Sequence, residues 1–140
     1  MLDDSQPDAA LQQPQMAGDA VPVRGGLASW QLSRVICLID ANLTQPIRIA
    51  DIAASIRLSP SYFYQAFRRS TGMSPYAYII HRRMARVQEL LLFTSRPVSQ
   101  IALECGLADQ PHLTRQFRSI VGMSPVAWRR AQREANLTPL

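Results

Sequence analysis

The chain has 140 residues, enough for one compact domain or two small lobes with an apolar core. All 15 basic residues are arginines, and four of the ten acids (Asp3, Asp4, Asp8 and Asp19) precede residue 24, so that from residue 25 onward 14 arginines face six acids, a net +8. A basic body behind an acidic leader points to a polyanionic partner, while the lack of a basic n-region followed by an apolar run excludes a signal peptide, and no apolar run approaches the roughly 20 residues of a membrane helix.

Residues 1–26 read as a flexible tail, with Gln12, Gln13, Pro14, Gln15, Pro22 and Gly25-Gly26 among small and acidic residues and no apolar period to offset the entropy of ordering. A first helix is expected over about 28–42, with Trp30, Val35, Ile36, Cys37, Leu38 and Ile39 as a broad apolar face; Asn42 and Pro46 end it. Ile49, Ile52, Ala53 and Ile56, at i, i+3, i+4 and i+7, predict a second helix over about 49–56. After a turn at Arg57-Leu58, Ser59-Pro60 supplies an N-cap and a first-turn proline for a third helix, which stops at Gly72. Ser74-Pro75 repeats the device for the longest helix, about 75–92, with Tyr76, Ile79, Ile80, Val87, Leu90 and Leu91 available for burial. Pro97, Gly106 and Gly122 punctuate three more helices, over about 98–105, 110–121 and 125–134. No segment alternates with period two, so the expected fold is all-α: seven helices in two helix-turn-helix subdomains (27–73 and 96–140) joined by a linker helix (74–95). Cys37 and Cys105 sit among apolar neighbours and read as reduced core residues. There is no CxxC, and His81 and His112 lack partners at ligand spacing, so no metal or other cofactor is expected.

The chain says one thing twice. Ile52-Ala53, Leu58, Phe63, Phe67-Arg68 and Gly72-Met73-Ser74-Pro75 recur as Ile101-Ala102, Leu107, Leu113, Phe117-Arg118 and Gly122-Met123-Ser124-Pro125. The offset is 49 residues at first and 50 later, so one residue is inserted between Leu107 and Leu113. Two copies of a short helix, a tight turn and an arginine-bearing helix suggest two heads for successive stretches of DNA groove; two units are too few for a solenoid.

In a helix-turn-helix the second helix lies in the major groove, so helices 3 and 6 each need one apolar stripe and one polar stripe without acids. Phe63, Ala66, Phe67 and Ser70 make the inward face of helix 3, with Ser61, Tyr64, Gln65 and Arg68 opposite. Leu113, Phe117 and Ile120 point inward from helix 6, with Pro111, Thr114, Arg115 and Arg118 opposite. Arg115 is suited to guanine O6 and N7, and Gln65 to adenine N6 and N7. Tyr64 suits a thymine methyl or a phosphate, and His112 either kind of contact. Arg68, Arg69 and Arg118, with Thr114 beside them, fit phosphates, fixing register without reading sequence.

These motifs resemble the DNA-binding domain of the AraC/XylS family of bacterial transcription regulators, over about residues 28–132. The most specific stretch is Ile101-Ala102, Cys105-Gly106-Leu107-Ala108-Asp109-Gln110, Leu113-Thr114-Arg115-Gln116-Phe117-Arg118, Gly122-Met123-Ser124-Pro125 and Trp128-Arg129. Arg83, with Leu90-Leu91 downstream, is similar to the family's linker-helix signature, Val87 standing where alanine is usual. Leu107 and Leu113 replace the usual aromatics, Trp128 the usual tyrosine, and Pro111 takes a position that contacts bases in some members. The resemblance implies base contacts from Ser61, Tyr64 and Gln65 in the first head and from Gln110, His112 and Arg115 in the second. It also implies a second head that serves recognition and can touch RNA polymerase; a cytoplasmic location is expected from the absence of a signal peptide and a membrane helix. Most members carry a further ligand-sensing or dimerising domain, for which this length leaves no room; the chain resembles small stand-alone members that bind as monomers, or a piece of a larger regulator.

About 17 residues of linker helix span roughly 25 Å, whereas successive major-groove entries on one side of straight B-DNA lie about 34 Å apart, so either the DNA bends toward the protein or one head inserts only partly, and bending is the expectation. Competing readings fare worse. An enzyme delivering a catalytic group through such a lobe lacks an activated cysteine or a Ser/His/Asp set. A protein-interaction module predicts apolar outer stripes on helices 3 and 6, where arginine and glutamine stand. A nonspecific binder would show salt dependence without sequence preference.

Overall fold

The computed structural model describes residues 24–137, and every regular element among them is an α-helix. In chain order these are α1 (Ser29–Ala41), α2 (Ile49–Ser55), α3 (Pro60–Thr71), α4 (Pro75–Phe93), α5 (Val98–Glu104), α6 (Gln110–Val121) and α7 (Pro125–Leu137). The all-α, seven-helix order matches the expectation, the largest boundary difference being α7, which runs past Glu134 to Leu137. The tail expected over 1–26 lies outside the described residues except for residues 24–26.

The helix ends form for the reasons the sequence suggests. Ser59 accepts a hydrogen bond from the Tyr62 backbone N–H (3.2 Å) and Pro60 occupies the first turn, so α3 starts with one orphan donor satisfied and one removed. At its other end Gly72 takes φ 80° and donates its N–H to Arg68 O at 2.8 Å. Ser74 and Ser124 accept from Ala77 N and Ala127 N, each at 3.1 Å, and so begin α4 and α7 alike.

Packing divides the chain into two compact units. The first holds α1, α2, α3 and the opening of α4 as far as Tyr78; the second holds the Asn42–Pro46 loop, α4 from Ile79, and α5 to α7. In the first, Phe63 and Phe67 are sealed, with ring centroids 5.6 Å apart, and Tyr78 sets its edge on Phe67 at 5.5 Å and 77°. In the second, Leu113 and Phe117 are sealed among Met84, Val87, Leu91 and Ile101, and Trp128 meets Phe117 at 5.8 Å and 70°. The Phe67–Tyr78 contact recurs as Phe117–Trp128 at the 50-residue offset.

Three apolar expectations are corrected. Trp30 (60% exposed) and Cys37 lie on the surface of α1, and Tyr76 (59% exposed) on that of α4. At 100° per residue, the buried pair Val35 and Ile39 defines one line of α1, and Trp30 and Cys37 fall on nearly the opposite line. A helix packed on one side cannot bury both. Cys105, by contrast, is fully buried, and burial pushes its thiol up to about 11.

Two arginines serve the second unit internally. Arg83, 9% exposed, donates from Nε to Leu43 O (3.0 Å) and from Nη2 to Gln45 O (2.7 Å), fixing the loop after α1. A buried charge is tolerated when its donors are matched in this way. Arg129 donates to Leu91 O (3.0 Å), Thr94 O (3.1 Å) and Arg96 O (2.8 Å), closing the C-terminal end of α4, where a cation also suits the helix dipole.

The turn between each pair of short helices is closed by a backbone bond, Leu58 N to Ala53 O (3.0 Å) and Leu107 N to Ala102 O (2.9 Å). Each turn needs one left-handed residue: Arg57 (φ 62°) in the first and Gly106 (φ 81°) in the second. A Cβ on Gly106 would lie 2.3 Å from Leu43 O, so this position requires glycine for space as well as for conformation. Gly106→Ala is expected to lower stability by more than about 2 kcal/mol in chemical denaturation. Cysteine labelling at mildly alkaline pH is expected to modify Cys37 rapidly in the folded chain and Cys105 only after denaturant is added, because the thiolate is the reacting form. Equal labelling rates for the two would contradict the burial of Cys105.

Candidate nucleic-acid interface

Burial of one stripe on α3 determines what the opposite stripe presents. With Phe63, Ala66 and Phe67 inward, Ser61, Tyr64, Gln65, Arg68 and Arg69 are exposed, as is Tyr62. The exposed arc runs about one α-helical turn to each side of Gln65 and carries no acid. Arg68 and Arg69 stand in the last turn, where cations complement the dipole. The Arg69 side chain lies back along Gly25, since a Cβ on that glycine would come 2.7 Å from its Nη1. The same element is held from behind by Leu27, whose N–H donates to Ser70 Oγ at 2.8 Å.

On α6 the inward pair is Leu113 and Phe117. Gln110, Pro111, Arg115 and Arg118 are exposed, whereas His112 and Thr114 are half-buried. The two helices superpose in register at the 50-residue offset, from their caps (Ser59 and Asp109) to their closing glycines (Gly72 and Gly122). In that register Gln65 corresponds to Arg115 and Arg68 to Arg118. Each head thus presents one long amide or guanidinium side chain at mid-helix and one arginine a turn further on. In the first head the expected residues are exposed together on the side of α3 away from Phe63 and Phe67, whereas in the second Gln110, Arg115 and Arg118 are exposed and His112 and Thr114 only half so.

The register also exposes what spacing alone missed. His112 corresponds to Tyr62, a residue the expected contacts left out although it is more exposed than Tyr64 (52% against 40%). Arg57 was passed over as a turn residue. It is exposed, its side chain has no hydrogen bond or ion pair among the described residues, and it keeps a left-handed backbone that glycine occupies in the second copy. Arg129, in contrast, is occupied with carbonyl groups, and its pKa is lowered by burial and secondarily by Arg133.

The inserted residue is now identifiable. Leu58 is followed directly by the cap Ser59, whereas Leu107 is followed by Ala108 and then by the cap Asp109. Asp109 Oδ1 accepts from His112 N at 2.8 Å, and His112 Nδ1 accepts from Ala108 N at 3.2 Å. These two bonds form a reciprocal cap, a histidine variant of the capping box. Among the described residues no helix is long and apolar enough to cross a membrane, and no group of three metal-ligating side chains occurs.

Comparison with known proteins agrees with this geometry. A family model described as a helix-turn-helix domain matches residues 52–131. The HTH-type transcriptional regulator ArgR of Pseudomonas aeruginosa is 27% identical over 127 residues, covering 86% of this chain and 39% of its own. The HTH-type transcriptional activator RhaR of Klebsiella pneumoniae is 31% identical over 104 residues, covering 74% and 37%. The chain therefore spans little more than a third of the length of these relatives. Among solved structures, the DNA-binding domain of the global transcriptional factor AdpA, in complex with a target DNA, is similar with a TM-score of 0.71 and 28% identity, covering 78% of this chain and 97% of that one. A transcriptional regulator of Chromobacterium violaceum with an AraC-type DNA-binding domain follows at a TM-score of 0.68 and 31% identity, covering 74% and 91%. A matched helix-turn-helix model over more than half the chain, relatives that are transcriptional regulators and a shared fold with AraC-type domains lead to one statement: the chain belongs to the AraC/XylS family of transcriptional regulators and carries its DNA-binding domain.

Proposed function

We propose that this chain is a sequence-specific double-stranded DNA-binding regulator of transcription that inserts α3 and α6 into successive major-groove segments. The observation that carries this reading is the pair of acid-free outer stripes, each centred on a side chain of base-reading type, Gln65 in one and Arg115 in the other. Ser61, Tyr64 and Gln65, with Gln110, His112 and Arg115, are assigned to bases. Arg68, Arg69, Thr114 and Arg118 are assigned to phosphates. The domain division proposed for this activity is a first head over 27–73, a connecting helix over 74–95 and a second head over 96–140.

The role is that of a binding protein, not an enzyme, acting in the cytoplasm, where bacterial DNA lies. Activation is favoured over repression by the relative RhaR, which is an activator. The chain binds its site as a monomer when acting alone, and contact with RNA polymerase is assigned to the second head, as the family resemblance implies. The 19 residues of α4 rise about 28 Å, short of the roughly 34 Å between groove entries on one side of straight duplex, so either the duplex bends or one head inserts only partly, and bending is the geometry proposed. The bend costs on the order of 1–6 kcal/mol, offset by the second head's contacts.

Selection of bound genomic fragments at physiological salt is expected to return two half-elements about one helical turn apart. Arg115→Ala is expected to relax one element at a cost of about 1–3 kcal/mol, while Arg118→Ala weakens all sites alike and reduces the salt slope by about 1. Equal loss on every sequence from Arg115→Ala would reassign that residue to phosphate. A circular-permutation gel assay is expected to show bending of a few tens of degrees; an unbent duplex footprinted by both heads would exclude this geometry.

A further inference from the structure

We propose that His112 is locked by the Ala108 insertion as a hydrogen-bond donor only, so that it selects against cytosine at the base it faces. The inference rests on the DNA-binding reading and adds to it the chemistry of one contact. The second copy of the motif contains one residue more than the first, and that residue brings one more backbone N–H at the mouth of the reading helix. The Ala108 N–H finds its acceptor in His112 Nδ1 at 3.2 Å, while the His112 backbone N–H is held by Asp109 Oδ1 at 2.8 Å. The first copy lacks the extra N–H and has Tyr62 at this register, a side chain with no ring acceptor. The insertion and the histidine therefore answer each other.

The chemical consequence is definite. A neutral imidazole has one N–H and one lone-pair nitrogen. An Nδ1 that accepts from a backbone amide must carry the lone pair, so the proton sits on Nε2. Nε2 has no partner among the described residues, and the ring has no second acceptor to offer. In the major groove such a ring can bond guanine O6 or N7, adenine N7, or thymine O4. Cytosine presents only its N4 amino donor there and gives the ring nothing to bond. Tyr62, whose hydroxyl both donates and accepts, imposes no such exclusion in the first head.

Two measurements test this. Nitrogen NMR of the histidine-labelled chain without DNA, at about pH 9, where a neutral imidazole is populated, is expected to show a pyridine-like Nδ1 and a pyrrole-like Nε2 for His112. The reverse pattern would overturn the proposal before any DNA is added. Selection from a randomised duplex library is then expected to show cytosine depleted at one position by the parent chain and readmitted about fivefold or more by His112→Ala. Circular dichroism checks that the variant is folded, and the NMR result on the parent chain does not depend on it. A uniform fall in affinity with unchanged base preference would overturn the selection role and leave His112 as a cap alone. Failure of the parent chain and Arg115→Ala to differ on any sequence would instead overturn the DNA reading itself.

Discussion

The rotation of α3 and of α6 about their own axes is set by the burial of one phenylalanine in each, and what each helix can touch depends on that. Phe67 and Phe117 are fully enclosed, each such burial contributing about 1.5–3 kcal/mol. With 100° between neighbours, enclosing Phe67 leaves Gln65 and Arg68 outward, and enclosing Phe117 does the same for Arg115 and Arg118. The edge contacts of Tyr78 and Trp128 on those rings then tie the orientation to the following helix. A small lobe has few such enclosures, so helix caps and closing glycines carry a large share of the remaining definition.

The two copies have diverged where the shared scheme leaves freedom. The first turn tolerates an arginine in a left-handed conformation, whereas the second is crowded by Leu43 O and the Arg83 guanidinium and admits only glycine. The first reading helix begins on a serine cap with proline directly behind it; the second begins on an aspartate cap with a histidine returning to the loop. Binding chemistry differs accordingly, an amide at mid-helix in one head and a guanidinium in the other. On the proposed DNA-binding reading, a duplicated scaffold with unlike side chains favours an asymmetric target over a palindrome.

Much of the fold was legible because its signals are local. Ser-Pro and closing-glycine punctuation marked helix ends, and period 3.6 marked which face of α3 and α6 is enclosed, so the candidate stripe could be named residue by residue. What spacing could not supply was tertiary. A broad apolar stripe on α1 does not reveal that only the Val35 and Ile39 line is covered, and Trp30 and Cys37 therefore lie outside. The partners of Arg83 are carbonyls some 40 residues away in sequence, with no pattern linking them. The bond that returns the His112 ring to the loop at Ala108 likewise depends on one inserted residue, which helical period does not reveal.

The closure of α4 by Arg129 has a mechanical consequence. Carbonyl groups of Leu91, Thr94 and Arg96 converge on one guanidinium carried by α7, with Arg133 adding a second bond to Thr94 O. Were α7 to detach, those acceptors would be stripped of their protein donors together, so the terminal helix and the end of the connector melt as a single step. Strain in the last turn of α4 would accordingly be felt at α7, and a disturbance of α7 would soften the end of α4 without touching the exposed stripe of α6.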